Sequence, residues 1–201
     1  MSIAAAAPEF TRLVLSDEQL AEYERDGYYV ARSLFSPAEM DALGETFMTQ
    51  AKDGPVEGLS EIKRGKVDGS HGGYDPNDPL AYYPRMMHPH RHGDKPVGPL
   101  ATYYMLHPGL HGLLHDLMGD EPLAVQSMFY FKPPGARGQD LHQDDFYLRT
   151  APHNCMAAWV AVDDADEDNG GMVAQRERKS DGSLASMPIR GFARPPWSKA
   201  S

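Results

Sequence analysis

Cysteine is almost absent from this chain of 201 residues, in which Cys155 stands alone. A single cysteine excludes a disulfide within the chain and is typical of a reducing compartment, so we predict a cytoplasmic location. The sequence also lacks an apolar run approaching the roughly 20 residues that a membrane-spanning helix requires. Residues 1–14 have neither the basic region nor the long apolar region of a secretory signal, and we interpret them as a loose N-terminus.

Basic residues are fewer than acidic ones, with 19 Lys and Arg against 29 Asp and Glu and a net charge of −10. This balance argues against nucleic acid as a partner, because phosphate binding requires a basic surface. Residues 173–201 differ from the rest, since they hold six Lys and Arg against two Asp and Glu. The hydrophobic content of 41% and the length suit one globular domain.

Helix start signals are clear in the first quarter of the chain. Ser16 and Ser36 are each followed three residues later by a capping-box partner, Gln19 and Glu39. A third helix is predicted at 108–118, where leucines recur on one face. These elements are assigned to packing and not to chemistry.

The stretch around His142 and Asp144 carries the strongest chemical signal. In an extended strand, residues two apart project from the same face, so these two side chains would point together. An imidazole and a carboxylate on one face are two of the three groups that bind non-haem Fe(II) in a 2-His-1-carboxylate site. The alternative, a strand end that meets a polar turn, stays open for the tripeptide taken alone.

Two predicted strands flank this stretch. Residues 126–132 are aromatic and are followed by Pro-Pro-Gly. Alternation gives this strand an apolar face and an amphiphilic face, and the second suits a ligand cavity: Gln126, Met128, Tyr130 and Lys132. Residues 156–162 form the other predicted strand, which contains Trp159 and leads into an acidic turn.

The order of four motifs resembles the phytanoyl-CoA dioxygenase family of Fe(II)/2-oxoglutarate-dependent oxygenases. The motifs are Met-Phe-Tyr-Phe-Lys-Pro-Pro, His-Gln-Asp, Trp-Val-Ala-Val-Asp-Asp and Asn-Gly-Gly-Met, and the resemblance covers residues 15–172. It implies an α+β fold with amino-terminal helices packed on a partial double-stranded β-helix of the jelly-roll or cupin type. It also implies hydroxylation of a small molecule or acyl thioester, with Fe(II) as cofactor and 2-oxoglutarate and O2 as cosubstrates.

The resemblance also implies roles for individual residues. His142 and Asp144 match metal ligands of the family. Met128 and Trp159 match positions in the 2-oxoglutarate pocket, although a core aromatic is an equal alternative for Trp159. Two further candidates for the pocket or its rim are Gln126 and Lys132.

The sequence departs from the family pattern after Met172. The family's second histidine and its 2-oxoglutarate-binding arginine lie on later strands, whereas no histidine follows His153 here and Arg190 and Arg194 lie in a proline-rich tail. We therefore expect a partial domain over 15–172 and a divergent, disordered tail over 173–201. Two functions stay open: an active dioxygenase, and a catalytically incomplete fragment or pseudoenzyme that retains a binding surface. The oligomeric state is not predicted.

A histidine-rich loop precedes the third predicted helix. His88, His90 and His92 are candidates for a second metal site, but no carboxylate or cysteine is interleaved with them. Arg85 or Arg91 is a candidate contact for an anionic substrate. A solvated loop is the simplest interpretation.

Overall fold

The computed structural model describes residues 14–61, 85–132, 142–175 and 186–188. Leu141, the Pro-Pro-Gly motif at 133–135 and the tail arginines Arg190 and Arg194 lie outside these residues. The described α-helices are α1 Asp17–Asp26, α2 Pro37–Lys52, α3 Val97–Met105, α4 Pro108–Met118 and α5 Asp144–Leu148. The described strands are β1 Ser60–Glu61, β2 Arg85–Met87, β3 Met128–Phe129, β4 Val173–Gln175 and β5 Ser186–Pro188, and a 3-10 helix spans Pro89–Arg91.

Both predicted capping boxes are present at the starts of α1 and α2. Ser16 Oγ accepts the Gln19 N–H at 3.3 Å, while Gln19 Oε1 accepts the Ser16 N–H at 2.9 Å. Ser36 and Glu39 form the same reciprocal pair at 3.3 and 2.8 Å. Each box satisfies backbone N–H groups that would otherwise lack a partner at the helix start. The predicted third helix is also confirmed as α4.

Strands β1, β2 and β3 form an antiparallel sheet in that order. Met86 of β2 is fully buried and pairs with Phe129 of β3. The Phe129 ring stacks on Phe47 of α2 with 4.0 Å between the ring centroids. One face of the sheet is therefore covered by α2, and this contact is part of the main hydrophobic core: Met40, Leu43, Phe47, Ala51, Leu59, Met86, Val97, Ala101 and Phe131.

The two strands predicted beside the His-x-Asp stretch are shorter than expected or absent. Of residues 126–132, only Met128–Phe129 form a strand, paired with Met87 and Met86 of β2. Residues 156–162 form no strand, since no strand of the described residues runs alongside them. This segment still packs on α2, where a Cβ built on Gly44 would lie 3.2 Å from Val162 Cγ1.

Helices and a small antiparallel sheet give the chain the predicted α+β class. A second antiparallel pair joins β4 to β5, with Ala174 opposite Met187. This pair lies within residues 173–201, whose other members are outside the described residues. Among the helices of the described ranges, none is both long enough and apolar enough to cross a membrane.

Candidate functional site

His142 and Asp144 lie side by side where α5 begins. His142 Nε2 is 3.3 Å from Asp144 Oδ1, and the two side chains are 34% and 40% exposed. The predicted extended strand is wrong here, because Asp144 is the first residue of α5. Gln143 before it is extended, with φ −112° and ψ 128°, but neither His142 nor Gln143 belongs to a strand. The two groups meet across a change from extended to helical backbone and not on one strand face.

The neighbouring carboxylate of Asp145 has other partners. Asp145 Oδ1 accepts the Thr150 backbone N–H at 3.1 Å and also the Thr150 hydroxyl, while Oδ2 pairs with His153 Nδ1 at 2.7 Å. The hydrogen bond from the Thr150 side chain, followed by that from His153, lowers the pKa of Asp145. The Asp145 carboxylate is hydrogen-bonded to residues of the loop that follows α5, so Asp144 is the better candidate for a metal ligand.

The thiol of Cys155 lies near both of these aspartates. Burial raises the pKa of Cys155, and the negative charges of Asp144 and Asp145 raise it further. A raised pKa disfavours the thiolate, which is the nucleophilic form. Cys155 is therefore better interpreted as a small, partly buried residue than as a reactive thiol.

The second face of the sheet is amphiphilic, as the alternation of residues predicts. Met128 is 39% exposed there, and its sulfur accepts the Tyr130 hydroxyl at 3.3 Å. The Tyr130 oxygen in turn accepts an N–H from Arg85 Nη1 at 3.1 Å, and the Arg85 guanidinium lies 5.2 Å from the centre of the Tyr130 ring. Glu61 of β1 pairs with the same guanidinium. The Met128 thioether and the Arg85 guanidinium thus both contact Tyr130 on the uncovered face of the sheet.

The other candidate pocket residues are spread along the same part of the chain. Trp159 is 40% exposed, which disfavours a fully buried core role. Gln126 is half-buried and Lys132 is exposed. The Lys132 stem lies against the Asn-Gly-Gly turn, because its Cδ and Cε would be 3.6 Å from a Cβ built on Gly170.

The histidine-rich loop has a structural role that sequence reasoning missed. His90 Nδ1 lies 2.6 Å from Ser127 Oγ, and the His88 and His90 rings are 5.8 Å apart in an edge-on contact. Burial lowers the pKa of both imidazoles, and Arg91 adds to the effect. His88 Nδ1 is buried with no hydrogen-bond partner among the described residues. The partner of His90 is the serine that directly precedes β3. Because this serine belongs to no sequence motif, the sequence alone did not indicate the contact.

A comparison of the whole sequence with protein families decides the ancestry. The family model for Phytanoyl-CoA dioxygenase (PhyH) matches residues 23–176. The chain belongs to the phytanoyl-CoA dioxygenase family. The match includes α2, the three-stranded sheet and the His142–Asp144 pair, so the described geometry is that of a member of this family.

Known members of the family resemble the chain over most of its length. It is 27% identical over 179 residues to "Phytanoyl-CoA dioxygenase 1" of Oryza sativa subsp. japonica, a match that covers 78% of this chain and 62% of the rice protein. It is 26% identical over 183 residues to "Phytanoyl-CoA dioxygenase domain-containing protein 1" of Danio rerio, covering 78% of this chain and 63% of that protein. The chain thus spans less than two thirds of the length of these relatives. No solved structure matches it.

The donors of this family member fit a metal ion in part. A neutral imidazole and a carboxylate both suit Fe(II), and His142 and Asp144 supply one of each at 3.3 Å from one another. Across the ranges that the structure describes, however, no group of three or more His, Cys, Asp or Glu side chains is placed to hold a metal. The pair therefore fits as two ligands of a metal site, and the described residues place no third side chain of these types beside it.

Proposed function

We propose that this chain binds Fe(II) through His142 and Asp144 as part of a site for the 2-oxoglutarate-dependent hydroxylation of a small molecule or an acyl thioester. The observation that carries the proposal is the His142–Asp144 pair, with its atoms 3.3 Å apart, inside the segment that matches the phytanoyl-CoA dioxygenase family. Fe(II), when bound, supplies the activation of O2 that couples 2-oxoglutarate decarboxylation to substrate oxidation.

The protein's own contribution is to bind and orient 2-oxoglutarate and the substrate and to exclude water from the site. We assign Met128 and Trp159 to the walls of the 2-oxoglutarate pocket, because both are large, partly exposed side chains at positions that match that pocket in the resemblance to the family. Gln126 and Lys132 are assigned to the pocket or its rim. Arg85, held between Glu61 and Tyr130, remains the candidate contact for an anionic substrate group.

The fold assigned to this function is a partial double-stranded β-helix over residues 15–172. Its support is the sheet β1–β3, which α2 covers on one face while the other face stays amphiphilic. Residues 173–201 are assigned to a divergent tail that contains the β4–β5 pair. The cytoplasmic location is proposed from the single cysteine, and the charge of −10 speaks against nucleic acid as a partner.

Metal titration tests the site assignment. We expect His142→Ala and Asp144→Ala each to abolish tight binding of Fe(II) or Mn(II), because a two-ligand set reduced to one donor holds a divalent ion poorly. His111→Ala is the matched control, since His111 lies on the exposed side of α4 paired with Glu121. If both site variants bind the metal as tightly as the parent chain, the assignment of the ligands is wrong.

A catalytically incomplete fragment or pseudoenzyme is the second candidate. It is favoured by one observation, that only two metal donors are brought together within the described residues. The two candidates differ in turnover and not in metal binding. Steady formation of succinate that depends on His142 supports the enzyme, and metal binding without succinate supports the incomplete protein.

A further inference from the structure

The loop that follows Asp144 is closed by one side chain. The Asp145 carboxylate contacts Thr150 through both the backbone N–H and the hydroxyl, and it contacts His153 through the opposite oxygen. The Asp145 carbonyl also accepts the Arg149 N–H at 2.9 Å, where Arg149 takes a left-handed conformation with φ 51°. The backbone bond ends α5, and the side-chain bonds of Asp145 join α5 to the loop that follows it.

The helix that carries Asp144 is too short to be stable by itself. α5 spans only five residues, whereas isolated helices shorter than about 12 residues are marginal in water. Its N-terminal flank Gln143 provides no side-chain hydrogen bond as a cap. The orientation of α5 must therefore come from contacts outside the helix, and the bonds from Asp145 to Thr150 and His153 are such contacts.

We propose that Asp145 is a positioning residue that holds Asp144 beside His142 by closing the loop from α5 to His153. This inference rests on the proposed function only in naming Asp144 and His142 as metal ligands. Asp145 is assigned no ligand role, because its two oxygens contact Thr150 and His153 while Asp144 contacts His142. Its side chain acts on the metal site through the backbone of α5.

Binding of Mn(II) to the full chain tests the proposal. Removal of the loop contacts in Asp145→Ala should weaken Mn(II) binding about ten- to a hundredfold, the usual effect of losing a group that orients a metal ligand. Asp145→Asn retains an acceptor for Thr150 and a polar group for His153, so it should bind within about threefold of the parent. Thr150→Val, which removes one donor and leaves the carboxylate, should fall between these two variants.

The outcomes separate this proposal from the ligand assignment. Unchanged binding in Asp145→Ala, together with lost binding in Asp144→Ala, overturns the positioning role and leaves the ligands in place. Binding as weak in Asp145→Asn as in Asp144→Ala also overturns it, because the Asp145 carboxylate would then be a ligand. Unchanged binding in both His142→Ala and Asp144→Ala refutes the proposed function instead.

A measurement without metal keeps the proposal testable in that last case. The His142 and Tyr147 rings lie 6.0 Å apart between centroids, and Tyr147 belongs to α5. Nuclear Overhauser contacts between these rings should be lost in Asp145→Ala and kept in Asp145→Asn, with thermal unfolding used to confirm that both variants fold. Contacts that persist unchanged in Asp145→Ala overturn the proposal whether or not the chain binds a metal.

Discussion

Asp144 and Asp145 are chemically identical neighbours whose carboxylates meet different partners. Asp144 contacts His142 and is 40% exposed, whereas Asp145 is engaged by Thr150 and His153. The spacing of two residues in His-x-Asp selects Asp144 correctly for the contact with His142. Nothing in the sequence identifies the partners of Asp145, since Thr150 and His153 reach it only through the turn after α5.

The three histidines at 88, 90 and 92 give the first residue-level prediction. Replacing all three by Ala should leave the metal stoichiometry of the chain unchanged, because in the described residues no carboxylate or cysteine joins them to form a metal-binding group. Metal content measured on the folded variant, with His142→Ala as the positive control for loss, checks this. A drop in bound metal with the fold intact would revive a second metal site.

Acidification should destabilise the protein through three imidazoles that are partly or fully buried. Burial lowers the pKa values of His88, His90 and His107 in the folded state. Their contribution to stability is therefore fully present above the unfolded pKa of about 6.5 and is lost as the pH falls through the lower folded values. Thermal unfolding should show a melting temperature that falls between pH 7 and pH 5.

The variant His90→Asn isolates one of these groups. Asparagine can keep a hydrogen bond to Ser127 and has no charge to gain, so the melting temperature of this variant should fall less steeply with acidification than that of the parent. An identical slope in the parent and the variant would show that His90 does not titrate in this range.

At the level of elements, the two faces of the β1–β3 sheet should respond differently to truncation. Phe47 is 2% exposed and stacks on Phe129 on the covered face, so Phe47→Ala should cost about 3–5 kcal/mol of unfolding free energy. Met128→Ala changes the open face, where the side chain is 39% exposed, and should cost about 1 kcal/mol or less. Chemical denaturation of both variants measures the difference. Equal losses would mean that the second face is covered in solution.

The elements that the sequence predicts well are those whose signals are local. The capping pairs Ser16–Gln19 and Ser36–Glu39 lie within one helical turn, so their helices begin where the residues indicate. The strand expected at 156–162 has no such local determinant, because a strand needs a partner that the sequence does not identify. Its apolar residues are used differently, with Val162 packed close to Gly44 of α2.

The contact between His142 and Asp144 was predicted, but the backbone that makes it was not. His142 and Asp144 do come together, but through the start of α5 and not through a strand, since Asp145 ties the following residues into a closed loop. The alternation of Met128 with Phe129 was predicted correctly because a two-residue period depends only on strand geometry. The Arg85–Tyr130 contact joins residues far apart in the sequence, so periodicity could not reveal it.

For the whole molecule, large apolar side chains are exposed in several of the described segments. Several large apolar residues of the segment after β2 are more than one-third exposed: Met128, Tyr147, Leu148, Trp159, Met172 and Val173. The exposure of Met128 and Trp159 agrees with their proposed place in the walls of a ligand pocket. The chain spans about 62% of the rice relative, so the whole relative's activity does not carry over to these residues without a test.

Our last prediction is that these 201 residues, tested alone, do not couple 2-oxoglutarate decarboxylation to hydroxylation at a useful rate. A 2-His-1-carboxylate site needs three protein donors to leave ordered positions for O2 and 2-oxoglutarate, and no histidine follows His153 in this sequence. His153 is not placed with His142 and Asp144 as a third donor, because the described residues bring no three such side chains together. The resemblance also calls for an arginine that binds the far carboxylate of 2-oxoglutarate in a bidentate pair, and the loss of such a pair costs a few kcal/mol, or roughly a hundredfold in affinity.

Succinate release by the purified chain with Fe(II), ascorbate and 2-oxoglutarate measures this directly. We expect His142-dependent metal binding, with succinate no higher than in the His142→Ala control. Added imidazole is an informative second arm, because it can supply the missing nitrogen donor to a metal already held by His142 and Asp144. Steady succinate formation by the parent chain, lost in His142→Ala, would contradict the prediction and would mean that the third donor comes from within these residues or from a second copy of the chain.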